Sequence, residues 1–164
     1  MTDQQIREAL IQCNALRKGH FKLTSGLHSD TYIQCARVLE HPRLTNELAA
    51  EAVARLTGEV SVDLVAAPAV GGILFGFAVA TSLDTDFVFC ERTGGTMEFR
   101  RSFNIPQNAR VLVCEDVVTT GGSVRELISL IEAAKAQVVA VVSMVDRGKK
   151  PDFGYPYYPL VTIE

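Results

Sequence analysis

The sequence has no excess of positive charge, and this absence narrows the classes of protein to which it can belong. Its 16 lysine and arginine residues are outnumbered by 19 aspartate and glutamate residues, which gives a net charge of −3. No basic run is present, whereas a nucleic-acid groove needs a clustered basic face. We therefore predict a mildly acidic protein that binds no nucleic acid.

Long apolar runs are also missing. No apolar stretch approaches the roughly 20 residues of a membrane-spanning helix. The chain begins Met-Thr-Asp-Gln-Gln-Ile, which lacks the basic start and the apolar stretch of a secretory signal peptide. Its 164 residues suit one domain with one core. These features predict a cytoplasmic protein that has no membrane partner.

Cysteines are few and widely spaced. Cys13, Cys35, Cys90 and Cys114 form no C-x-x-C pair of the kind that holds a metal or a redox disulfide. Cys90 and Cys114 lie in apolar runs typical of strands. We predict buried free thiols in a reducing compartment, and no dedicated metal site.

The first 40 residues predict a small flap, which we call the hood. Thr2 and Gln5 have the spacing of a capping box, and apolar residues follow at three- and four-residue steps, as in an amphipathic helix. The elements predicted here are a helix that ends at Gly19, and strands at 20–23 and 29–33 around a turn at Ser25 and Gly26.

From residue 42 onward, helical and strand patterns alternate. The predicted helices are 42–58, 73–81 and 124–134, and the predicted strands are 62–66, 86–90, 111–115 and 138–145, with an edge strand at the end of the chain. Gly94 and Gly95 predict a hairpin tip. Because the strands are continuously apolar and alternate with helices, they imply a parallel sheet that is covered on both faces.

The most informative segment is 111–123, which reads V-L-V-C-E-D-V-V-T-T-G-G-S. Its strand delivers Glu115 and Asp116 to the sheet edge at which ligands bind in open α/β folds. The hydroxyls and glycines of 119–123 then precede a helix N-terminus, and together these groups form a phosphate cradle. The segment is not a P-loop, because it has no Gly-Lys-Ser/Thr ending. Carboxylates suit a diol rather than a phosphate, so the segment predicts a ribose 5-phosphate site.

This segment resembles the phosphoribosyl pyrophosphate signature of the type I phosphoribosyltransferases. The resemblance extends over nearly the whole chain, and it implies an α/β fold with a doubly wound parallel sheet and a small N-terminal hood. It also implies that the two carboxylates hold the ribose hydroxyls. The residues implied to bind phosphoribosyl pyrophosphate are Ala69, Val70, Gly71, Glu115, Asp116, Val117, Val118, Thr119, Thr120, Gly121, Gly122 and Ser123.

Three further segments resemble the orotate phosphoribosyltransferases in particular. They are the hood hairpin 19–33, the pyrophosphate loop 67–73 and the strand end 145–147. The resemblance implies orotate contacts from Thr119, Arg147, Phe21 and Tyr32. A guanidinium suits orotate, since it offers paired donors to a carboxylate and ring carbonyls. Phe21 and Tyr32 also suit packing within the hood, where His20 and His28 suit a polar surface.

The chain departs from many of these enzymes in two places. Gly71 stands where many have a lysine, and segment 89–101 has no lysine or histidine where many carry a mobile loop that contains both. Arg92 matches the arginine before that loop, and Arg100 and Arg101 can supply charge to the leaving pyrophosphate. A short-loop subgroup of the family is similar, so we expect an active variant. The implied catalytic residues are Arg92, Arg100, Arg101 and Asp116.

The reaction implied by the resemblance transfers a phosphoribosyl group from 5-phospho-α-D-ribose 1-diphosphate to orotate, in pyrimidine biosynthesis. Mg²⁺ is the implied cofactor, because it binds pyrophosphate through phosphate oxygens and waters with few carboxylates. A homodimer is implied by the mobile loop. We expect a single domain over 1–164, with the hood roughly at 1–40 plus the C-terminal end, and the core roughly at 41–150. The alternatives are a phosphoribosyltransferase for another base, and a regulator that binds phosphoribosyl pyrophosphate without turnover.

Overall fold

Two β-sheets of different size organise the fold. The computed structural model describes residues 1–22, 26, 28–56 and 60–164. The strands are β1 (Leu16–Lys22), β2 (His28–Ile33), β3 (Leu64–Pro68), β4 (Asp86–Thr93), β5 (Thr96–Phe99), β6 (Arg110–Val118), β7 (Gln137–Asp146) and β8 (Tyr157–Thr162). The helices are α1 (Asp3–Gln12), α2 (Ala36–Leu39), α3 (Pro42–Ala54), α4 (Gly71–Leu83) and α5 (Gly122–Ala133).

The six-stranded sheet has the order β5-β4-β3-β6-β7-β8, and β1 pairs with β2 in a separate hood sheet. Pairs within the large sheet are parallel except for β4 and β5, which form a hairpin with its tip at Gly94 and Gly95. The predicted parallel sheet, the hairpin tip and the C-terminal edge strand are therefore confirmed.

Alternate residues of each central strand enter two different cores. On β6, Leu112 and Cys114 pack with helices α3 and α4, whereas Val111 and Val113 pack with α5 on the opposite face. The sheet is covered on both faces, as predicted for a doubly wound α/β fold. Across the described residues, no helix combines the length and the apolar character needed to cross a bilayer.

The predicted end of the first helix at Gly19 is wrong. Helix α1 stops at Gln12, because Asn14 adopts a left-handed conformation with φ 58°, and Leu16 starts β1. Leu16 is buried, but it reaches the core from strand β1 and not from the helix, so its helical spacing from Cys13 is coincidental. Leu23, Ser25 and Gly58, where the sequence predicts a strand end, a turn and a helix end, lie outside the described residues.

The C-terminal end, which the sequence interpretation groups with the hood, forms edge strand β8 of the large sheet. It still touches the N-terminal region, because the Arg7 guanidinium donates to the Thr162 carbonyl. Short helix α2, which the sequence did not predict, connects the hood to α3. The buried core is continuous across this connection, since Ile6 and Val38 join the same apolar cluster as Leu48.

Candidate active site

The carboxyl end of β6 carries two adjacent acidic side chains. Glu115 is buried and Asp116 is partly exposed. Glu115 Oε1 accepts a hydrogen bond from the Asp116 amide at 3.0 Å, and Asp116 Oδ1 accepts one from the Val117 amide at 2.8 Å. Burial, followed by the hydrogen bond and the charge of Asp116, raises the pKa of Glu115 to about 9. Glu115 is therefore protonated at neutral pH and can both donate and accept hydrogen bonds.

The turn between β6 and α5 presents backbone amides instead of a capping side chain. Gly121 adopts φ 79°, and a Cβ there would lie 2.6 Å from a ring carbon of Phe153, so only glycine fits. Helix α5 starts at the next residue, and no side chain among the described residues caps it. Its first amides and the positive end of its dipole therefore remain available to an anion.

Arg125 holds the turn between β6 and α5 through contacts with its backbone and with the segment before β8. Its guanidinium donates to the Thr120 carbonyl at 2.7 Å and to the Asp152 carbonyl at 3.2 Å, and it lies 5.3 Å from the centre of the Phe153 ring. The turn is therefore tied to the segment before β8. A fixed turn keeps its amides oriented in the absence of a ligand.

A cavity of about 270 Å³ joins Glu115 to this turn, and Asp116 is not among its lining residues. Its lining residues are Arg92, Glu115, Val117, Val118, Thr119, Thr120, Gly121, Gly122, Ser123, Val124 and Glu126. Sequence reasoning missed Glu126. The available signal was its position one helical turn after Gly122, which puts the two residues on the same face of α5.

The predicted pyrophosphate loop lies against the carboxylate pair. A Cβ on Gly71 would meet the carboxylate of Asp116, and one on Gly72 would approach Glu115 Oε1 at 3.2 Å. The Ala69 amide donates to the Cys90 carbonyl at 2.8 Å, and the Ala69–Val70 peptide bond is cis. The structure thus brings the loop and the end of β6 together, as the resemblance implied.

Arg147 stands directly beyond β7, next to the end of β6. Its backbone amide donates to the Val118 carbonyl at 2.9 Å, which brings it next to Thr119. Its Nη1 is buried and has no hydrogen-bond partner among the described residues. A buried, unpaired guanidinium nitrogen is costly unless a ligand accepts its hydrogen bonds.

Cys35, just after hood strand β2, connects the hood to the carboxyl end of β6. Its Sγ is 3.9 Å from the Asp116 carbonyl oxygen. Phe21 and Tyr32 pair with each other, with ring centres 5.4 Å apart. A second pair joins His20 and His28, whose ring nitrogens are 2.6 Å apart. Neither Phe21 nor Tyr32 lines the cavity described above.

The three arginines of the β4–β5 region differ in their surroundings. Arg92 lines the cavity, whereas Arg100 and Arg101 do not. Arg101 makes two hydrogen bonds to Glu91, at 2.7 and 2.9 Å, and Arg100 Nη1 is 3.4 Å from the Thr93 hydroxyl. A role for Arg100 and Arg101 at the pyrophosphate stays a prediction.

A family profile described as the phosphoribosyl transferase domain matches residues 36–162, a range that contains the whole cavity lining. The fold and the site thus define a protein of the phosphoribosyltransferase class. The orotate phosphoribosyltransferase of Sphingopyxis alaskensis is 46% identical over 99% of this chain and 85% of its own length. That of Heliobacterium modesticaldum is 44% identical over 100% and 87%. The chain belongs to the orotate phosphoribosyltransferase family.

Solved structures agree on the fold. The orotate phosphoribosyltransferase of Aeropyrum pernix superposes with a TM-score of 0.80 at 23% identity, covering 96% of this chain and 93% of that one. The adenine phosphoribosyltransferase of Thermoanaerobacter pseudethanolicus gives 0.77 at 20% identity, covering 97% and 98%. Because proteins named for two different bases share this fold, the choice of base depends on the side chains of the site.

Proposed function

We propose that the chain transfers the phosphoribosyl group of 5-phospho-α-D-ribose 1-diphosphate to orotate. The products are orotidine 5′-phosphate and pyrophosphate, in the pathway of pyrimidine synthesis. One observation carries the proposal: the Glu115–Asp116 pair ends β6 beside a turn of backbone amides, and Glu115 shares a cavity with that turn, within a chain that is 46% identical to an orotate phosphoribosyltransferase.

The donor is held at three points. The amides and hydroxyls of 119–123 bind the 5-phosphate, because the N-terminus of α5 attracts an anion. Glu115 and Asp116 bind the ribose hydroxyls, which donate to the Asp116 carboxylate and both donate to and accept from the Glu115 carboxyl group. The loop 69–71, which lies against Asp116, binds the pyrophosphate.

The reaction is a displacement at the anomeric carbon of the ribose. The bond from this carbon to the pyrophosphate oxygen breaks, a ring nitrogen of orotate forms the new bond, and the proton of that nitrogen passes to the leaving pyrophosphate. Positive charge develops on the sugar as pyrophosphate leaves, and the Asp116 carboxylate stabilises it. Arg92, on the cavity wall, faces the negative charge of the donor. The protein acts through positioning and electrostatics, with no covalent intermediate.

Orotate binds between the end of β7 and the hood. Its carboxylate satisfies the buried Nη1 of Arg147, which has no other acceptor among the described residues. The hydroxyl of Thr119 adds a further contact to orotate. Thr119 follows Val118, whose carbonyl accepts a hydrogen bond from the Arg147 amide. The Phe21–Tyr32 pair covers the base from the hood.

Mg²⁺ suits the acidic groups available here. Among the described residues, no three His, Cys, Asp or Glu side chains are grouped to hold a metal ion, and the partly exposed carboxylate of Asp116 at the end of β6 offers one oxygen ligand group. Mg²⁺ favours such sites, since it keeps several waters and binds mainly through substrate phosphates. When bound, it neutralises charge on the pyrophosphate.

We also propose that the enzyme is a homodimer that assembles through α4. Val70, Leu74 and Phe77 are 82%, 54% and 60% exposed, and their spacing lines them along one side of the helix. Phe87 extends this apolar surface, with its ring edge-on to Phe77 at 6.1 Å. A second copy of the chain that covers the surface removes it from water. We assign the enzyme to the cytoplasm, where its four buried free cysteines stay reduced.

The loss of orotate absorbance in the presence of phosphoribosyl pyrophosphate and Mg²⁺ tests the proposed reaction. We expect absorbance to fall only when both are present, and to fall far more slowly with Asp116→Asn. If Asp116→Asn leaves both the Michaelis constant for the donor and the turnover unchanged, the assignment of Asp116 to the ribose is wrong.

A further inference from the structure

A carboxylate lines the same cavity as the phosphate-binding turn. Glu126, on α5, lies beside that turn and accepts a hydrogen bond from Arg92 Nη2 at 2.7 Å. An unpaired carboxylate would repel a bound phosphate. Arg92 lowers the pKa of Glu126, so the carboxylate is ionised at neutral pH, and its charge is matched by the guanidinium.

Two acceptors from different elements fix the Arg92 guanidinium. Besides Glu126 on α5, the carbonyl of Gly95 at the hairpin tip accepts from Nη1 at 2.8 Å. The two hydrogen bonds use different nitrogens, so they define the orientation of the guanidinium plane as well as its position. The pair therefore also ties the β4–β5 hairpin to α5 beside the phosphate-binding turn.

The ion pair between Arg92 and Glu126 contributes little to the stability of the fold. The side chains of Arg92 and Glu126 are 45% and 42% exposed, and an exposed ion pair contributes little to stability because water and salt screen it. Its location in the cavity is what distinguishes it. The Arg37–Glu40 pair is almost equally exposed, at 48% and 43%, with a distance of 3.0 Å, and it lies outside the cavity.

We propose that Glu126 is a positioning residue that holds the Arg92 guanidinium beside the cradle, so that phosphoribosyl pyrophosphate meets an already oriented cation. The proposal rests on the donor site of the proposed function. Orienting Arg92 before the donor binds reduces the ordering cost of binding. Glu126 touches no reacting atom in this account and acts only through Arg92.

Steady-state kinetics of Glu126→Ala, Glu126→Gln and the control Glu40→Ala test the proposal, together with Arg92→Ala and Arg92→Ala/Glu126→Ala. We expect Glu126→Ala to raise the Michaelis constant for the donor about fivefold, with turnover and the unfolding midpoint nearly unchanged. Glu126→Gln should stay close to the wild type, because its amide oxygen still accepts from Arg92. In the Arg92→Ala background, Glu126→Ala should not weaken donor binding further, and removing the unpaired carboxylate should lower the donor constant if it changes at all.

The proposal would be overturned by an unchanged donor constant in Glu126→Ala, by an equal rise in Glu40→Ala, or by a full additional effect in the Arg92→Ala background. Glu126→Gln behaving like Glu126→Ala would also contradict positioning through a hydrogen bond. If the wild type consumes no orotate, the proposed function fails instead. Calorimetric binding of phosphoribosyl pyrophosphate to the same variants would then still measure the effect of Glu126.

Discussion

The carboxylate of Asp116 occupies the space that a side chain on Gly71 would need. A Cβ at position 71 would lie 2.3 Å from Oδ2 and 2.7 Å from Oδ1. Gly71 is the first residue of α4, so the carboxylate lies at the positive end of that helix, with Oδ1 also bound to the Val117 amide. Gly71 thus leaves the space that the Asp116 carboxylate occupies, and it helps to determine where Asp116 points.

Gly71→Ala tests this relationship. The added methyl group displaces the Asp116 carboxylate, so we expect kcat/KM for phosphoribosyl pyrophosphate to fall about tenfold or more. The fold should survive, because the displaced group is the end of a side chain, and thermal unfolding serves as the control. In an Asp116→Asn background, Gly71→Ala should cost less than it does alone, since both changes act on one group. Equal costs in both backgrounds would contradict the relationship.

The pH dependence of stability tests the environment of Glu115. Its pKa in the folded protein is about 9, above its ordinary value of 4.5. The stability that it contributes is therefore complete below the unfolded-state pKa and is lost as the pH rises through the folded-state pKa. We expect the unfolding midpoint of the wild type to fall more than that of Glu115→Gln between about pH 5 and pH 9. Parallel curves for the two proteins would show that Glu115 has no raised pKa.

Arg147→Ala tests the base-binding role of the buried guanidinium. Loss of a charge-assisted hydrogen bond should raise the Michaelis constant for orotate about ten- to hundredfold, with a much smaller change for the donor. Arg43→Ala, at an exposed position on α3, is the control for removing an arginine. An effect on the donor constant alone would assign Arg147 to the phosphoribosyl pyrophosphate site instead.

Phe77→Asp tests the assembly surface on α4. A charge at Phe77 within the apolar surface formed by Val70, Leu74, Phe77 and Phe87 should shift the protein from dimer to monomer in sedimentation experiments. Ile11→Asp offers a matched control, because Ile11 is an apolar residue with 53% exposure on α1, away from that surface. A wild-type protein that sediments as a monomer, or a dimer that tolerates Phe77→Asp, would contradict assembly through this face.

The sequence predicted the parts of the site that are contiguous in the chain better than the parts that are distant in the chain. Glu115, Asp116 and the turn at 119–123 are contiguous, so a strand, a turn and a helix start were enough to predict their arrangement. The contact between Gly71 and Asp116 and the ion pair between Arg92 and Glu126 join distant segments, and their geometry depends on the register of β3, β4 and β6. Glu126 in particular had no local signal beyond its helical face.

The secondary-structure prediction was wrong where one residue satisfied both a helical and a strand pattern. Leu16 satisfies a helical period and also faces the core from β1, so periodicity alone extended α1 past Asn14. The large sheet was predicted more reliably, because long apolar runs such as β7 admit few alternatives when they alternate with helices.

The most direct test of the central claim is a comparison of acceptor bases with purified wild-type protein. The kcat/KM for orotate would be measured with phosphoribosyl pyrophosphate and Mg²⁺, in parallel with uracil, adenine and hypoxanthine. We expect that orotate is consumed, that orotidine 5′-phosphate appears in equal amount, and that the other bases are not used. Turnover of a purine or uracil in preference to orotate would contradict the assignment of Arg147 and Thr119 to the base. Tight donor binding without turnover of any base would contradict an enzymatic role.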